Sequence, residues 1–398
     1  VAVSEGQTKD ERARSEQLLV SVVIPCLNEE ENITTCVSAA IGALERNGYL
    51  GEVIVVDNNS EDLSAKLAAE AGALVIHEQR RGYGSAYLAG LDQAAGEFVV
   101  MADADLTYDF DDIPRFVERL QAGADLVMGD RMDNIEPGAM PWLHRYIGNP
   151  LLSGLLNVFY RTGVRDAHCG MRALRREVLG RLDLRTTGME FASEMIVRAA
   201  KEQMVIDEVP IRYAPRGGES KLSSFRDGWR HLRFLLIHSP FYLFILPGLV
   251  LVVLGVVASV IVLADVHLFG RDWQLHTLIG GSLLVIVGVQ VMTLGICAQA
   301  YGVYYMGERD PLFRALRRRY RLEHGLLLGA AFVFAGFIIA ATVTIRWIVD
   351  GFGTLSYEQL ALVAATLLII GVQIFFTSFL LSILGLRRSD DWSATLDQ

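Results

Sequence analysis

Basic charge is scarce in this sequence. Its 398 residues hold 36 Lys and Arg against 46 Asp and Glu, a formal charge of −10. Phosphate-backbone binding needs clustered positive charge, so a nucleic-acid binder held by a global basic field is excluded. Charged residues make up only 21% of the chain and hydrophobic ones 52%, the reverse of the balance that produces disorder. Four cysteines, Cys26, Cys36, Cys169 and Cys297, form no C-x-x-C pair. That spacing argues against zinc and for free thiols in a reducing compartment. The first 18 residues lack an apolar h-region, so no signal peptide is expected and the soluble part is expected to stay in the cytoplasm.

The hydrophobic excess is concentrated after Ser239. Four apolar stretches, at 241–264, 277–306, 325–345 and 359–386, reach the ~20 residues that a bilayer crossing takes. Leu249 to Leu263 alone contains twelve Leu, Ile or Val. No Asp, Glu, Lys or Arg falls in the middle of a span, which disfavours a proton- or ion-coupled transporter. Arg309, Arg314, Arg317, Arg318, Arg319 and Arg321 lie between spans two and three, and Arg387 and Arg388 follow span four. The other loops hold one arginine each, Arg271 and Arg346. The positive-inside rule therefore predicts a multi-pass membrane protein with its soluble domain and both termini cytoplasmic.

Residues 19–213 alternate β-branched runs with helical patterns. Strands are predicted at 19–25, 52–57, 73–77, 97–103 and 125–129. Near-continuous apolar runs suit strands buried on both faces of a mainly parallel sheet. Asn28, before Glu29, Glu30 and Glu31, and Ser60, before Glu61 and Asp62, are expected to start helices. Ligands bind at the carboxyl ends of such strands. Polar clusters fall there: Pro25-Cys26-Leu27-Asn28-Glu29, Asp57-Asn58-Asn59-Ser60, Asp103-Ala104-Asp105 and Gly129-Asp130-Arg131.

The Asp-Ala-Asp pair is the most informative cluster. Two carboxylates two apart on extended backbone point the same way, can meet one divalent cation, and through it a diphosphate. The alternative is a solvated loop with Asp105 capping a helix. Gly82-Tyr83-Gly84 lacks the third glycine of a dinucleotide fingerprint, and reads either as a flexible loop over the site or as a plain turn.

These clusters, taken together and in order, resemble family-2 glycosyltransferases, most closely the polyprenyl-phosphate type that includes dolichol-phosphate mannose and glucose synthases. The matching stretches are VSVVIPCLNEEENI, VVDNNSED, RGYGSA, MADADLTYDF, GDR, DAHCGMRAL, GMEFASEM and RGGESKLSSFRDGWRHLRFLL. The resemblance implies an α/β GT-A fold, Rossmann-like with a mainly parallel sheet, followed by the four transmembrane helices. It implies a nucleotide-sugar donor, inversion at the sugar, and Mg2+ or Mn2+ at Asp103 and Asp105. By the same resemblance Pro25, Asn28, Glu29 and Asp57 bind the base, and Ala104 lies with Asp103 against the donor. Arg131 stands near the phosphates or acceptor, Glu194 near the donor sugar, and Arg216, Ser220 and Lys221 in the phosphate-associated R-x-G-x-S-K loop. Two positions depart: many relatives have Asp at the position of Asn58 and Gln at that of Thr107. The first bears on base contacts and the second on the metal shell.

A lipid phosphate monoester has a second pKa near ~6 and is largely dianionic at neutral pH, so it can attack an anomeric carbon without a general base. The site must instead hold two anions together, which calls for the metal, Arg131, Arg216 and Lys221. Glu194 would orient sugar hydroxyls, or act as a base if the acceptor were a hydroxyl. Between the halves, Arg226, Arg230 and Arg233 form one helical stripe beside Phe225, Trp229, Leu232, Leu235 and Leu236. That pattern is an interfacial amphipathic helix, or else a domain-packing one. His168 and Cys169 could suggest a thiol nucleophile or metal ligand but read rather as a structural pair, and Tyr301, Tyr304 and Tyr305 read as an aromatic belt rather than a site.

The expected organisation is a flexible terminus (1–18), a GT-A domain (19–215), an amphipathic juxtamembrane segment (216–239), four spans (240–388) and a cytoplasmic tail (389–398). The expected reaction transfers a hexose from UDP-glucose to polyprenyl or dolichyl phosphate; GDP-mannose is the alternative donor. A processive polysaccharide synthase is disfavoured because no Q-x-x-R-W element follows the acidic residue. A non-catalytic lipid carrier or flippase would leave the acidic cluster unexplained. The second pair of spans is a candidate for assembly into a homo-oligomer.

Overall fold

The computed structural model describes residues 18–217, 224–267, 273–305, 313, 322–352 and 357–394. The chain divides into two compact units, Val1–Leu235 and Leu236–Gln398.

The first unit is built on a seven-stranded sheet: β1 (Val20–Cys26), β2 (Gly51–Asp57), β3 (Leu74–His77), β4 (Phe98–Met101), β5 (Leu126–Asp130), β6 (Arg172–Arg175) and β7 (Ile206–Pro210). Their spatial order is β3-β2-β1-β4-β6-β5-β7. Neighbours are parallel except β6, which runs antiparallel to both β4 and β5. The alternation of β1 feeds two cores. Val22 and Ile24 face Ile33, Val37, Val55 and Phe116, while Val23 faces Ile54, Val56, Tyr87 and Leu91. A strand with apolar residues at every position can satisfy both faces only in a sheet covered on both sides.

The covering helices are α1 (Ile33–Arg46), α2 (Ser64–Glu70), α3 (Tyr83–Gln93), α4 (Ile113–Gln121), α5 (Asn149–Tyr160), α6 (Phe191–Lys201) and α7 (Ser224–Ile237), besides a single turn at Leu179–Leu182. In α1 the buried residues Ile33, Cys36, Val37, Ala40, Ala43 and Leu44 recur at helical spacing. Helix α7 buries His231, Phe234 and Leu235 and leaves Trp229, Arg226, Arg230 and Arg233 exposed. Its apolar stripe thus packs into the first unit's core and its arginines face outward.

Four expectations need correction. Neither Asn28 nor Ser60 starts a helix. Asn28 has φ +51°, and the two residues join their loops: the Asn28 N–H donates to Ser60 Oγ at 3.0 Å and the Glu61 N–H to Asn28 Oδ1 at 2.8 Å. Strand β4 ends at Met101, so the Asp-Ala-Asp pair lies in the loop beyond it. Gly82-Tyr83-Gly84 is the start of a helix rather than a loop over the site. Strands β6 and β7 were not expected at all.

In the second unit a π-turn at Phe241–Ile245 leads into α8 (Leu246–Leu263), followed by α9 (Leu275–Tyr305), α10 (Leu322–Val349) and α11 (Glu358–Ala394). Four segments are long and apolar enough to cross a membrane: Phe241–Leu263, Leu275–Tyr305, Leu322–Val349 and Glu358–Gly385. Helices pack pairwise through glycine. Gly248 and Gly255 of α8 lie against the backbone of Gly288 and Gly281 of α9, and Gly329 of α10 against that of Gly371 of α11. Small residues let apolar helices approach where lipid supplies no hydrophobic drive. Arg271 and the arginines from Arg309 to Arg321 lie outside the described residues, as do the side chains of Arg387 and Arg388.

Candidate active site

The loops after β1 and β2 are zipped together. Besides the Asn28–Ser60 pair, the Glu29 N–H donates to Ser64 Oγ at 2.7 Å and the Glu30 N–H to Asp62 Oδ2 at 3.2 Å. Pro25, partly buried, is the penultimate residue of β1. Asp57, 5% exposed at the end of β2, accepts from the Ser60 N–H and lies 3.1 Å from His77 Nδ1. Asn58 is also buried. Its amide donates to the carbonyls of Glu78 and Arg80, and its Oδ1 accepts from the Gly82 N–H at 2.7 Å. A carboxylate could not make the two donations. The departure at this position therefore has a structural reason: Asn58 ties the β3 loop to the start of α3.

The Asp-Ala-Asp loop is held from three sides. Asp103 Oδ1 accepts from Tyr83 Oη at 3.2 Å, with Tyr87 Oη at 3.5 Å. Ala104 is buried. Asp105, 6% exposed, accepts at Oδ1 from the Thr107 N–H at 3.2 Å and Thr107 Oγ1 at 2.6 Å. Thr107 is thus engaged in fixing Asp105. Burial, and then the charge of Asp105, push the Asp103 carboxyl up to about 6. Two buried carboxylates side by side are a donor set suited to a hard divalent cation. Among the described residues no group of three or more His, Cys, Asp or Glu gathers as a metal cage.

Strand β6 supplies a part of the site that the sequence did not reveal. Because β6 runs antiparallel to β4, Arg172 stands opposite Met101. The residues just before β6 therefore lie beside the loop just after β4. A Cβ on Gly170 would overlap Asp103 Oδ2. The Gly170 N–H donates to Tyr108 Oη at 2.8 Å, and Tyr108 Oη accepts from Arg131 Nη1 at 3.3 Å.

Arg131 does not offer a free cation here. It is 5% exposed and doubly bonded to Asp166, Nε to Oδ2 at 2.6 Å and Nη2 to Oδ1 at 2.9 Å. Its guanidinium also lies over the Tyr213 ring at 4.9 Å. Glu194 is likewise occupied. Its Oε2 accepts from the N–H groups of Arg185 and Thr186 at 3.0 and 2.8 Å and from Thr186 Oγ1 at 2.7 Å. The loop it secures presses on the first turn of α3: the Ser85 N–H donates to the Thr187 carbonyl at 3.1 Å, and a Cβ on Gly84 would overlap the Thr186 carbonyl. Glu194 thus stands behind Tyr83, which holds Asp103.

Arg216 Nη2 lies 3.3 Å from Glu29 Oε1 and its Nε 3.5 Å from Asp105 Oδ2. Ser220 and Lys221 lie outside the described residues. His168 and His231 pack edge to face at 4.5 Å with Ser193 Oγ between their ring nitrogens, at 3.3 and 2.9 Å. Burial, then the neighbouring His231, keep His168 uncharged by holding its pKa well below the usual value. Burial pushes Cys169, like Cys26 and Cys36, up to about 12. A buried thiol pushed up this way is poorly suited to act as a nucleophile.

Residues 21–183 match the family described as Glycosyl transferase family 2, and residues 296–385 match the Glycosyltransferase family 2 C-terminal transmembrane region. The chain is 43% identical over 368 residues to the low-salt glycan biosynthesis hexosyltransferase Agl6 of Haloferax volcanii, covering 92% of this chain and 89% of that one. It is 35% identical over 212 residues to a dolichyl-phosphate hexose transferase of the same organism, covering 52% and 89%. Among solved structures it aligns with glucosyl-3-phosphoglycerate synthase of Mycobacterium tuberculosis, at 22% identity, TM-score 0.47 and coverage of 57% and 82%. With a likeness that runs through both the sheet domain and the apolar helices, this chain belongs to glycosyltransferase family 2, as a membrane protein with a GT-A catalytic domain.

Proposed function

We propose that the enzyme transfers a hexose, with inversion, from a nucleotide-sugar to polyprenyl or dolichyl phosphate at the cytoplasmic membrane face. UDP-glucose is the first choice of donor, and the product is a lipid-phosphate-sugar. The observation that carries this reading is the union, in one chain, of an acidic pair at the sheet's carboxyl edge with four membrane-spanning segments. A lipid acceptor explains why the two should be joined. Relatives support the acceptor more than the sugar. One is named a dolichyl-phosphate hexose transferase. Another, 29% identical over 304 residues, is named an undecaprenyl-phosphate 4-deoxy-4-formamido-L-arabinose transferase, from Pseudomonas fluorescens. The sugars differ and the lipid phosphate recurs. Exposed Trp142, Tyr146, Leu151 and Val158, in and just before α5, give the catalytic domain an apolar surface that suits a lipid partner.

In this reading the base lies against Pro25, Asn28, Glu29 and Asp57, and the donor diphosphate against Asp103, Ala104 and Asp105. Mg2+ or Mn2+ held by Asp103 and Asp105 would supply positive charge to the departing diphosphate. Tyr83 and Thr107 keep one oxygen of each carboxylate occupied and so fix the direction of the other. Arg216, Ser220 and Lys221 receive the phosphates. Arg131 and Glu194 act one layer back: Arg131 holds Tyr108 and through it Gly170, and Glu194 holds the loop under Tyr83. The acceptor phosphate, already dianionic, attacks the anomeric carbon directly, so the residues need only align and neutralise two anions. The proposed domain limits are 19–215 for catalysis, 216–239 for the juxtamembrane segment and 240–388 for the spans, with the arginine-rich loop cytoplasmic.

The test is a transfer assay in detergent with polyprenyl phosphate, Mg2+ or Mn2+, and a panel of UDP- and GDP-sugars. A lipid-phosphate-hexose that disappears with EDTA is expected, and the productive donor identifies the nucleotide. Nucleotide binding without any lipid product would reject the acceptor; no nucleotide binding would reject the reaction class.

Gly170 offers a structural check. Alanine there must move Asp103 or the β6 approach. Overpacking of this kind costs ~1–3 kcal/mol, and a displacement of about 1 Å at a reacting site can cost ~10²-fold in rate. Gly170→Ala is expected to lower kcat at least tenfold with a modest fall in Tm. Wild-type kcat would show that Asp103 is not held from this side.

A further inference from the structure

Arg216 lies on a short strap laid across the Asp-Ala-Asp loop. The Ala214 N–H donates to the Thr107 carbonyl at 3.0 Å and the Gly217 N–H to the Asp105 carbonyl at 3.0 Å. Asn32 Nδ2 donates to the Gly217 carbonyl at 2.9 Å and to Glu29 Oε2 at 3.0 Å. These bonds seat the guanidinium between Glu29 and Asp105, at 3.3 and 3.5 Å.

The way Arg216 is held differs from the way Arg131 is held. Arg131 makes a bidentate, hydrogen-bonded pair with Asp166. Arg216 Nη2 donates to Glu29 Oε1 at 3.3 Å, while its buried Nε makes no hydrogen bond, although Asp105 is its near neighbour. The attraction there is charge without the directional bonds that would fix it. Asp105 in turn has its Oδ1 bound to Thr107, so Oδ2 is the oxygen that faces the cation. The guanidinium can therefore leave Asp105 at small cost, still tethered at Glu29, once another cation takes its place there.

We propose that Arg216 is a tethered counter-cation which occupies Asp105 until a divalent cation arrives, and then passes to the phosphates of the bound nucleotide. This rests on the assignment of Asp105 as a metal ligand. Arg216 and the metal thereby compete in the free enzyme and cooperate in the nucleotide complex. Metal alone binds weakly because it must displace Arg216. Metal with nucleotide binds tightly because the displaced guanidinium finds a new anion. By linkage, the nucleotide tightens the metal by the same factor as the metal tightens the nucleotide.

The experiment measures Mn2+ binding directly, from the free-Mn2+ electron paramagnetic resonance signal, on the full-length protein in detergent. Wild type, Arg216→Gln and Arg216→Lys are compared with no nucleotide, with UDP and with GDP. Without nucleotide, Arg216→Gln is expected to bind Mn2+ about 2- to 5-fold more tightly than wild type, the scale of one partly exposed ion pair. Arg216→Lys, which keeps the charge, should stay near wild type. With the nucleotide that binds, the order should reverse and Arg216→Gln should bind Mn2+ more weakly. Arg216→Met, which keeps the apolar stem, repeats the test if the glutamine variant unfolds. Equal or weaker Mn2+ binding by the folded neutral variants without nucleotide would overturn the proposal while leaving the metal site standing. No Mn2+ binding by any form, wild type included, would remove the metal site and this proposal with it.

Discussion

Replacing Asp166 with Ala is expected to destabilise the catalytic domain by ~3–5 kcal/mol, because it strands a buried arginine. Asp166 is fully buried, and it accepts from the Arg131 side chain at both oxygens and from the Arg131 N–H at 3.3 Å. Without it the guanidinium keeps Tyr108 and the face of Tyr213 but no countercharge. The cost measures the orphaned charge and not the worth of the pair. The double variant Asp166→Ala/Arg131→Met should therefore recover a large part of the loss. Denaturant unfolding of the three proteins in detergent checks this. A single variant within about 1 kcal/mol of wild type would mean that Arg131 finds water once Asp166 is gone. Activity should fall further than stability explains, since Arg131 reaches Gly170 and Asp103 through Tyr108.

The second large effect concerns chemistry. Asp105→Asn should lower kcat/KM by ~10²–10³-fold, the scale of losing one well-placed electrostatic group in a transfer site. The fold should survive. An amide oxygen can still accept from the Thr107 N–H and Oγ1, which are the bonds that set the loop. Removing the charge also relieves the neighbour: the Asp103 carboxyl, held up at about 6 by burial and by Asp105, should titrate lower. Rate, Tm and Mn2+ binding together make the check. Transfer within threefold of wild type would show that Asp105 contributes no charge to the reaction.

Much of the scaffold was legible because it follows from local pattern. The apolar runs of β1, β2 and β5 and the four spans need no knowledge of their partners. What stayed hidden depends on residues far apart in sequence. Strand β6 has only Ala173 and Leu174 between two arginines. It is buried nonetheless, because Arg172 donates to the carbonyls of Ala167, Cys169 and Ala192. No apolar period announces a strand of that kind. Asn28 and Ser60 carry the residue types of helix caps but bond across 32 positions to each other's loops. The acidic pair was visible as two carboxylates beside a strand; that Tyr83 and Gly170 would close on Asp103 was not. Arg131 and Glu194 stand out in the sequence as charged side chains that could carry chemistry, yet each is engaged by an internal partner, Asp166 and the Arg185–Thr186 turn. A sequence shows that a charge is present without showing what already neutralises it.

The reversed strand also bears on synthesis in the cell. Strands β4 and β5 leave the ribosome before the strand that separates them. Until residues 172–175 emerge, both keep an open edge of unpaired backbone next to apolar faces. Such edges invite mispairing with other chains. The nascent chain thus passes through a window in which the half-built sheet needs shielding; β6 closes the gap between β4 and β5, and β7 later covers the outer edge of β5. The same insertion delivers Gly170 to Asp103, so the catalytic loop cannot take its final shape before the vulnerable edge is sealed.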